Sequence, residues 1–251
     1  MKGLIAILLM PFLLSSCADT SVRQYKLEIV AEYQHDTGSY TQGLFFHEGQ
    51  MYETTGLHGK STLRKVDLKT GKALVKYDFS EKHFVEGSVV LKDNLYILTW
   101  DSKVAFIYDA DSLKYKSTWK YPREGWGITT DGKQLIASDG SANLYFMDKN
   151  FMQDRKVTVK LEERPVRFLN ELEYIDGKIW ANVYTTDTIV IINPKDGRVT
   201  GLVDCSGLLP KHLHTVSTDV LNGIAYDDKT GKIYLTGKNW PRLYEVRIVE
   251  K

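Results

Sequence analysis

The chain has 251 residues, with 33 Lys and Arg against 32 Asp and Glu and a formal net charge of +1. That balance excludes the basic excess of a nucleic-acid-binding domain and the charge excess of a disordered tail. Hydrophobic residues make up 43% and charged residues 26%, which fits a globular protein of one or two domains, and two cysteines are too few for a disulfide scaffold.

The chain opens with Lys2, an apolar run from Leu4 to Leu14, and Ser15-Ser16. One positive charge, an apolar stretch and small residues at its end form an export signal over residues 1–16. The run falls short of the roughly 20 residues that span a bilayer. Leu14-Ser15-Ser16-Cys17 resembles a bacterial lipobox, which makes Cys17 the lipidated first residue of the mature chain. The protein is then expected to be exported and held by acyl chains at a bacterial cell-envelope membrane, on its periplasmic or surface face. Residues 17–25 serve as a tether and residues 26–251 as the folded domain. Cys205 is the remaining thiol and is expected to be a buried, small apolar residue.

After the tether, Lys26 to Tyr33 reads as a strand, and then the chain repeats. Five turns each lead into a short β-rich strand: Glu48-Gly49-Gln50-Met51, Lys92-Asp93-Asn94-Leu95, Asp131-Gly132-Lys133-Gln134-Leu135, Asp176-Gly177-Lys178-Ile179 and Thr230-Gly231-Lys232-Ile233. With Met51, Leu95, Leu135, Ile179 and Ile233 taken as equivalent, the spacings are 44, 40, 44 and 54. The turn residues fit tight hairpins. The strand before each turn begins Gln42-Gly43-Leu44, Glu86-Gly87-Ser88, Trp126-Gly127-Ile128, Asn170-Glu171-Leu172 and Asn222-Gly223-Ile224. Third strands follow from Leu63, Val104, Leu144, Ile189 and Leu243, and fourth strands at Leu74–Phe79, Tyr115–Trp119, Lys156–Leu161 and Val199–Val203. The fifth repeat has no fourth strand of its own, and Lys26 to Tyr33 is available to supply it. Four strands per unit at a period near 45 is the signature of a propeller blade. The expected fold is all-β, a five-bladed β-propeller whose N-terminal strand completes the last blade and so removes the open sheet edges.

The long last spacing marks an insertion, Gly207 to Asp219, with Pro210, His212 and His214. It reads as a polar surface loop. His212 and His214 are half of a metal site at most, with no third ligand at a telling spacing. No Cys/His cluster, Gly-rich phosphate loop or Gly-x-Ser-x-Gly nucleophile motif is present, and no metal or cofactor is expected.

Equivalent positions of a propeller lie in one ring around its axis. The first-strand ring is Gln42, Glu86, Trp126, Asn170 and Asn222. A second, five residues beyond the aligned second-strand position, is Gly56, Trp100, Gly140, Tyr184 and Lys238. The register is kept while the side chains differ, which suits an asymmetric site. Glu86 is its carboxylate, Trp100 and Trp126 are its walls, and a salt bridge from Glu86 to Lys238 is compatible with that role.

Tyr40-Thr41-Gln42-Gly43-Leu44, Phe84-Val85-Glu86-Gly87, Leu98-Thr99-Trp100, Glu124-Gly125-Trp126-Gly127, Leu169-Asn170-Glu171-Leu172-Glu173-Tyr174 and Thr236-Gly237-Lys238-Asn239-Trp240-Pro241 together resemble the plant and bacterial type of glutaminyl-peptide cyclotransferase, over roughly residues 26–249. The resemblance implies an acyltransferase that converts the N-terminal glutamine of peptides or proteins to pyroglutamate with release of ammonia and needs no catalytic metal. It places the acid/base glutamate at Glu86 and pocket residues at Gln42, Trp100, Trp126, Asn170 and Lys238. Tyr40 stands where plant members have Phe, with Phe84 nearby, and Tyr184 stands where they have a third Trp. A monomer with no nucleic-acid partner is expected. The other readings are a non-catalytic, lipid-anchored propeller that binds peptides or glycans, and a metal-dependent lactonase-like propeller.

Overall fold

The computed structural model describes residues 21–251. The expected export signal at residues 1–16, the lipidation site Cys17 and the first part of the tether lie outside the described residues. Among the described residues the only helical element is a 3-10 turn, Lys211–Leu213. No described helix is long and apolar enough to cross a membrane.

The first strand, β1 (Arg23–Gln34), starts ahead of the expected Lys26. The reason is pairing: Arg23 to Lys26 already run parallel to Gly201 to Asp204. Three four-stranded antiparallel sheets follow. One is β2 (Thr41–His47), β3 (Gln50–Thr55), β4 (Thr62–Val66) and β5 (Ala73–Asp78). The next is β6 (Val85–Leu91), β7 (Asn94–Thr99), β8 (Val104–Asp109) and β9 (Tyr115–Lys120). The third is β10 (Ile128–Thr130), β11 (Leu135–Ala137), β12 (Asn143–Met147) and β13 (Gln153–Thr158). The fourth strand expected at Lys156 to Leu161 therefore ends early. Lys160–Leu161 (β14) leaves it to form a small hairpin with Arg164–Pro165 (β15).

The remaining strands are β16 (Leu169–Ile175), β17 (Lys178–Val183), β18 (Thr188–Ile192), β19 (Val199–Asp204), β20 (Leu221–Asp227), β21 (Lys232–Gly237) and β22 (Arg242–Glu250). They join β1 in one eight-stranded sheet, in the order β16-β17-β18-β19-β1-β22-β21-β20. β1 lies between parallel β19 and antiparallel β22, the latter pairing from Tyr25 with Glu250 to Gln34 with Arg242. The first strands β2, β6, β10, β16 and β20 each pack against the next, and β20 returns to β2. This is a β-propeller arrangement.

Period-2 alternation explains the packing. Each inner strand has both faces buried, so apolar residues run almost without a break, as in Asn94-Leu95-Tyr96-Ile97-Leu98-Thr99. Leu95 and Ile97 pack with Phe45, Tyr52 and Leu63 of the preceding sheet. Tyr96 and Leu98 pack with Ile128, Leu135 and Met147 of the following one. The same division recurs around the axis and ends where Leu44 and Met51 meet Ala225, Tyr234 and Leu243. The outermost strand β5 is exposed along its length.

The first strands approach closely. A Cβ added to Gly127 would fall 2.1 Å from the carbonyl oxygen of Asn170, so this place takes no side chain. The fourth repeat has Glu171 at the equivalent place. Its carboxylate accepts Ile224 N–H at 2.9 Å and Leu44 N–H at 3.4 Å, reaching across to β20 and β2. Burial and the nearby Glu173 push its pKa well above the carboxylate range.

The insertion Gly207–Asp219 is only partly the polar surface loop expected. Leu208 and Leu209 turn inward against Cys205, Leu221 and Trp240, and His214 Nε2 lies 3.3 Å from Leu209 O. Cys205 is a buried member of that core, and burial pushes its thiol pKa up.

Candidate active site

The four first strands with a full ladder share an irregularity. Pairing with the second strand slips between Thr41 and Gly43, Val85 and Ser88, Leu169 and Leu172, and Leu221 and Ile224. Gln42, Glu86, Asn170 and Asn222 sit at these slips. A bulge re-aims a side chain out of the strict alternation of its strand. The axial side chains therefore leave the inter-sheet core and collect at one end of the ring.

There they line a cavity of about 240 Å³ formed by Tyr40, Gln42, Phe84, Glu86, Trp100, Trp126, Asn170, Tyr184 and Lys238. All nine pocket residues expected from sequence are brought together. The volume is below the roughly 300–1,000 Å³ of sites for drug-sized ligands and suits a single residue. Asn222, also on the first ring, stands behind the wall. It donates to Thr41 O at 2.9 Å and to Gln42 Oε1 at 3.3 Å. This leaves the Gln42 amide nitrogen to act on Glu86, whose ionised form it favours.

Glu86 is 5% exposed. Burial pushes its pKa well above the ordinary value, Glu124 and Asp101 add to that push by charge, and Lys238 and Gln42 oppose it. Lys238 forms no salt bridge with Glu86. Its ammonium instead lies over the rings of Tyr40 and Tyr184, at 4.8 and 4.9 Å from their centroids, a cation–π arrangement that holds a buried charge without a direct carboxylate. Burial lowers the Lys238 pKa, and Glu86 and Asp219 resist by charge.

The aromatic walls are joined edge to face. Phe84 meets Trp100 at 5.5 Å and Tyr40 at 6.3 Å, and Trp126 meets Tyr184 at 5.7 Å. Trp126 lies flat over Gly140, whose φ of +75° and missing Cβ leave room for the indole. Trp100, 39% exposed, forms the outer lip.

Three contributors were not among the nine. Glu124 Oε2 accepts both indole N–H groups, from Trp100 at 3.0 Å and Trp126 at 3.4 Å. Asp219 accepts the Tyr40 hydroxyl at 2.9 Å. Asn222 orients Gln42. The signal for Glu124 was in the register: it precedes Trp126 by two residues, as Tyr40 precedes Gln42 and Phe84 precedes Glu86. Asp219, in the insertion, has no counterpart in the other repeats. Asn170 lines the pocket, and its side-chain oxygen is buried with no hydrogen-bond partner.

Among the described residues, one group of His, Asp and Glu side chains converges closely enough to hold a metal: His47, Glu48 and Asp111. None of them lines the pocket.

The profile of the glutamine cyclotransferase family matches residues 4–248. A glutaminyl-peptide cyclotransferase from Arabidopsis thaliana is 40% identical over 259 residues, covering 99% of this chain and 81% of the relative. The crystal structure of Myxococcus xanthus glutaminyl cyclase is similar with a TM-score of 0.86 and 34% identity, covering 92% of this chain and 100% of that one. With its sequence matched nearly end to end and its fold shared with a solved member, the chain belongs to the glutamine cyclotransferase family.

Proposed function

We propose that the pocket around Glu86 cyclises the N-terminal glutamine of peptides or proteins to pyroglutamate and releases ammonia. The observation that carries this reading is a buried carboxylate with a raised pKa on the wall of a residue-sized aromatic pocket. The reaction forms a bond from the α-nitrogen to the γ-carbon and breaks the bond from that carbon to the amide nitrogen. The α-amine gives up one proton, and the departing nitrogen gains one and leaves as ammonia. One carboxylic group within reach of both nitrogens suffices, acting first as base and then as acid. At an ordinary glutamate pKa it would be a weak base for the proton of the amine. The raised value brings it nearer the α-amine, whose own pKa is about 8.

The other residues divide the remaining work. Gln42, its side-chain oxygen accepting from Asn222, acts on Glu86 and favours its ionised form. Lys238 supplies the positive charge for the oxygen on which negative charge develops. Asn170, on the pocket wall, offers its amide group to the polar atoms of the substrate. Tyr40, Phe84, Trp100, Trp126 and Tyr184 hold the side chain curled toward its own amine and exclude water. The test is ammonia release from a glutaminyl dipeptide by the purified protein, with and without chelator. No release would refute the reading, and release abolished by chelator would require a metal in it.

The charge of Glu124 gives a separate check. Glu124→Gln keeps an oxygen for the two indoles and removes a negative neighbour of Glu86. The ionised form of Glu86 then becomes easier to reach. The limb of the kcat/KM–pH profile that reports Glu86 is expected to move to lower pH, and an unmoved limb would show that Glu124 does not act on it by charge.

We further propose a ring of five blades. The eight-stranded sheet divides at its parallel β19–β1 junction into two sets of four, which join the three separate four-stranded sheets. The N-terminal strand would then complete the last blade, and a ring closed in this way works as a monomer. For cellular placement we propose export and lipid anchoring through Cys17 at the periplasmic or surface face of the envelope, supported by the lipobox-like sequence. Cys17→Ser should release the protein from the membrane fraction, and retention would argue against the anchor.

A further inference from the structure

The pocket has a buried polar foundation that the reaction does not use. Glu53 on β3 is 1% exposed and has four partners. Its Oε1 faces His35 Nε2 at 3.0 Å and accepts the Thr41 hydroxyl at 2.7 Å. Its Oε2 accepts the Ser39 hydroxyl at 3.0 Å and lies 3.9 Å from the Arg64 guanidinium. Arg64, on β4, also donates to Ser39 Oγ at 2.6 Å and to Asp36 at 2.7 Å. His35 Nδ1 lies 2.8 Å from Trp240 O. Both ring nitrogens of His35 therefore face acceptors, which the ring satisfies together as the imidazolium. Burial disfavours that charge, but Glu53 outweighs it and the His35 pKa is raised. Burial likewise opposes ionisation of Glu53, and His35 and Arg64 hold its pKa below the usual value.

A buried charged cluster is weak evidence for stability, since apolar residues of similar volume often do as well. Its geometry suggests another use. Every short contact of Glu53 goes to His35 or Ser39, in the connection from β1 to β2, or to Thr41, the first residue of β2. That connection delivers Tyr40 and Gln42 to the pocket. Ser39 O also accepts Asn239 N–H at 2.7 Å, and Asn239 Nδ2 donates to Thr37 O at 2.8 Å. Asn239 follows Lys238 directly and has a φ of 60°, a conformation that costs free energy unless its surroundings fix it. The same segment thus holds both the aromatic face under Lys238 and the backbone that carries it.

We infer that Glu53 is a positioning residue for the pocket: through Ser39 and Thr41 it fixes Tyr40 and Gln42, through the Ser39–Asn239 contact it fixes Lys238, and so it sets the surroundings of Glu86. This rests on the proposed role of Glu86. The charged groups acting on Glu86 are Lys238, Glu124 and Asp101, and those around Glu53 are His35, Arg64 and Asp36. A release of Gln42 removes a polar neighbour that favours ionised Glu86. Loss of the anchor is therefore expected to move the Glu86 limb of the pH profile upward, which a merely structural role would not do.

The test uses three variants of the full chain, with ammonia release from a glutaminyl dipeptide measured across pH. Glu53→Gln should lower kcat/KM at least tenfold and raise the Glu86 limb. Because it removes a buried charge, it is paired with Thr41→Val, which deletes one hydroxyl contact and leaves the charged cluster intact. Thr41→Val should lower kcat/KM several-fold with the same upward shift, and Thr41→Ser, which keeps the hydroxyl, should restore both. If Thr41→Val, or a folded Glu53→Gln, retains the parental kcat/KM and pH profile, the inference is overturned. If Glu53→Gln does not fold, the Thr41 pair decides alone. Absence of ammonia release by the parental protein would remove the reaction itself, an outcome distinct from active but insensitive variants.

Discussion

Glu86→Gln is expected to cost about 10²–10⁴-fold in turnover, the range associated with a positioned general acid/base, while leaving the fold intact. Gln keeps the shape of the side chain, but it cannot take a proton from the amine and pass it to the leaving nitrogen. The same variant tests the electrostatics. Burial raises the pKa of Glu86 in the folded protein above its ordinary value of 4.5. A group with a raised folded pKa loses its contribution to stability as pH climbs from the unfolded value toward the folded one. Gln does not titrate, so the melting temperature of the variant should gain on that of the parent as pH rises from 5 to 8. Calorimetry at both pH values and a kcat measurement address the two claims separately. Near-normal turnover would sink the acid/base role, and a Tm difference independent of pH would sink the buried, raised-pKa carboxylate.

Trp126→Ala is the second large effect. The indole is half-buried, packs edge-on to Tyr184, lies over Gly140 and donates to Glu124. Its removal opens a wall of the cavity, lets water in and frees the substrate side chain to extend away from its own amine. A loss of near-attack geometry of this kind is worth on the order of 10²-fold in kcat/KM. The stability cost should stay below the roughly 3–5 kcal/mol of a fully buried Trp truncation, because this ring faces the pocket on one side. An unchanged kcat/KM with a large fall in Tm would instead make Trp126 a core residue.

Much of this arrangement was legible in the order of residues. The five turns marked hairpins that the structure contains, and the strands expected from Leu63, Val104 and Ile189 lie within a residue or two of β4, β8 and β18. The repeat register placed Gln42, Glu86, Trp126 and Asn170 in one ring, because a propeller superposes what the sequence spaces apart. What stayed hidden was contact detail. The register offers Lys238 as a salt-bridge partner of Glu86, but its charge rests on two aromatic faces, and cation–π geometry leaves no spacing signature. The Glu53–His35–Arg64 cluster joins positions with no shared register. Glu171 occupies a place where other repeats have glycine, and sequence alone did not indicate that its carboxylate would reach across the axis to two other strands. Among polar neighbours Leu208 and Leu209 read as part of a surface loop, yet both turn inward into the core.

The pairing of β1 with β22 joins Tyr25 to Glu250, almost the two ends of the described chain. Hairpins within each sheet close short loops and can form early, whereas this seam closes one of more than 200 residues and carries the loop-entropy cost of the whole ring. Tyr40 and Gln42 lie on one side of the seam region and Lys238 on the other. A chain still waiting for its last strand has no complete pocket, so in this enzyme the onset of activity during refolding would time the final topological step rather than the appearance of β-structure.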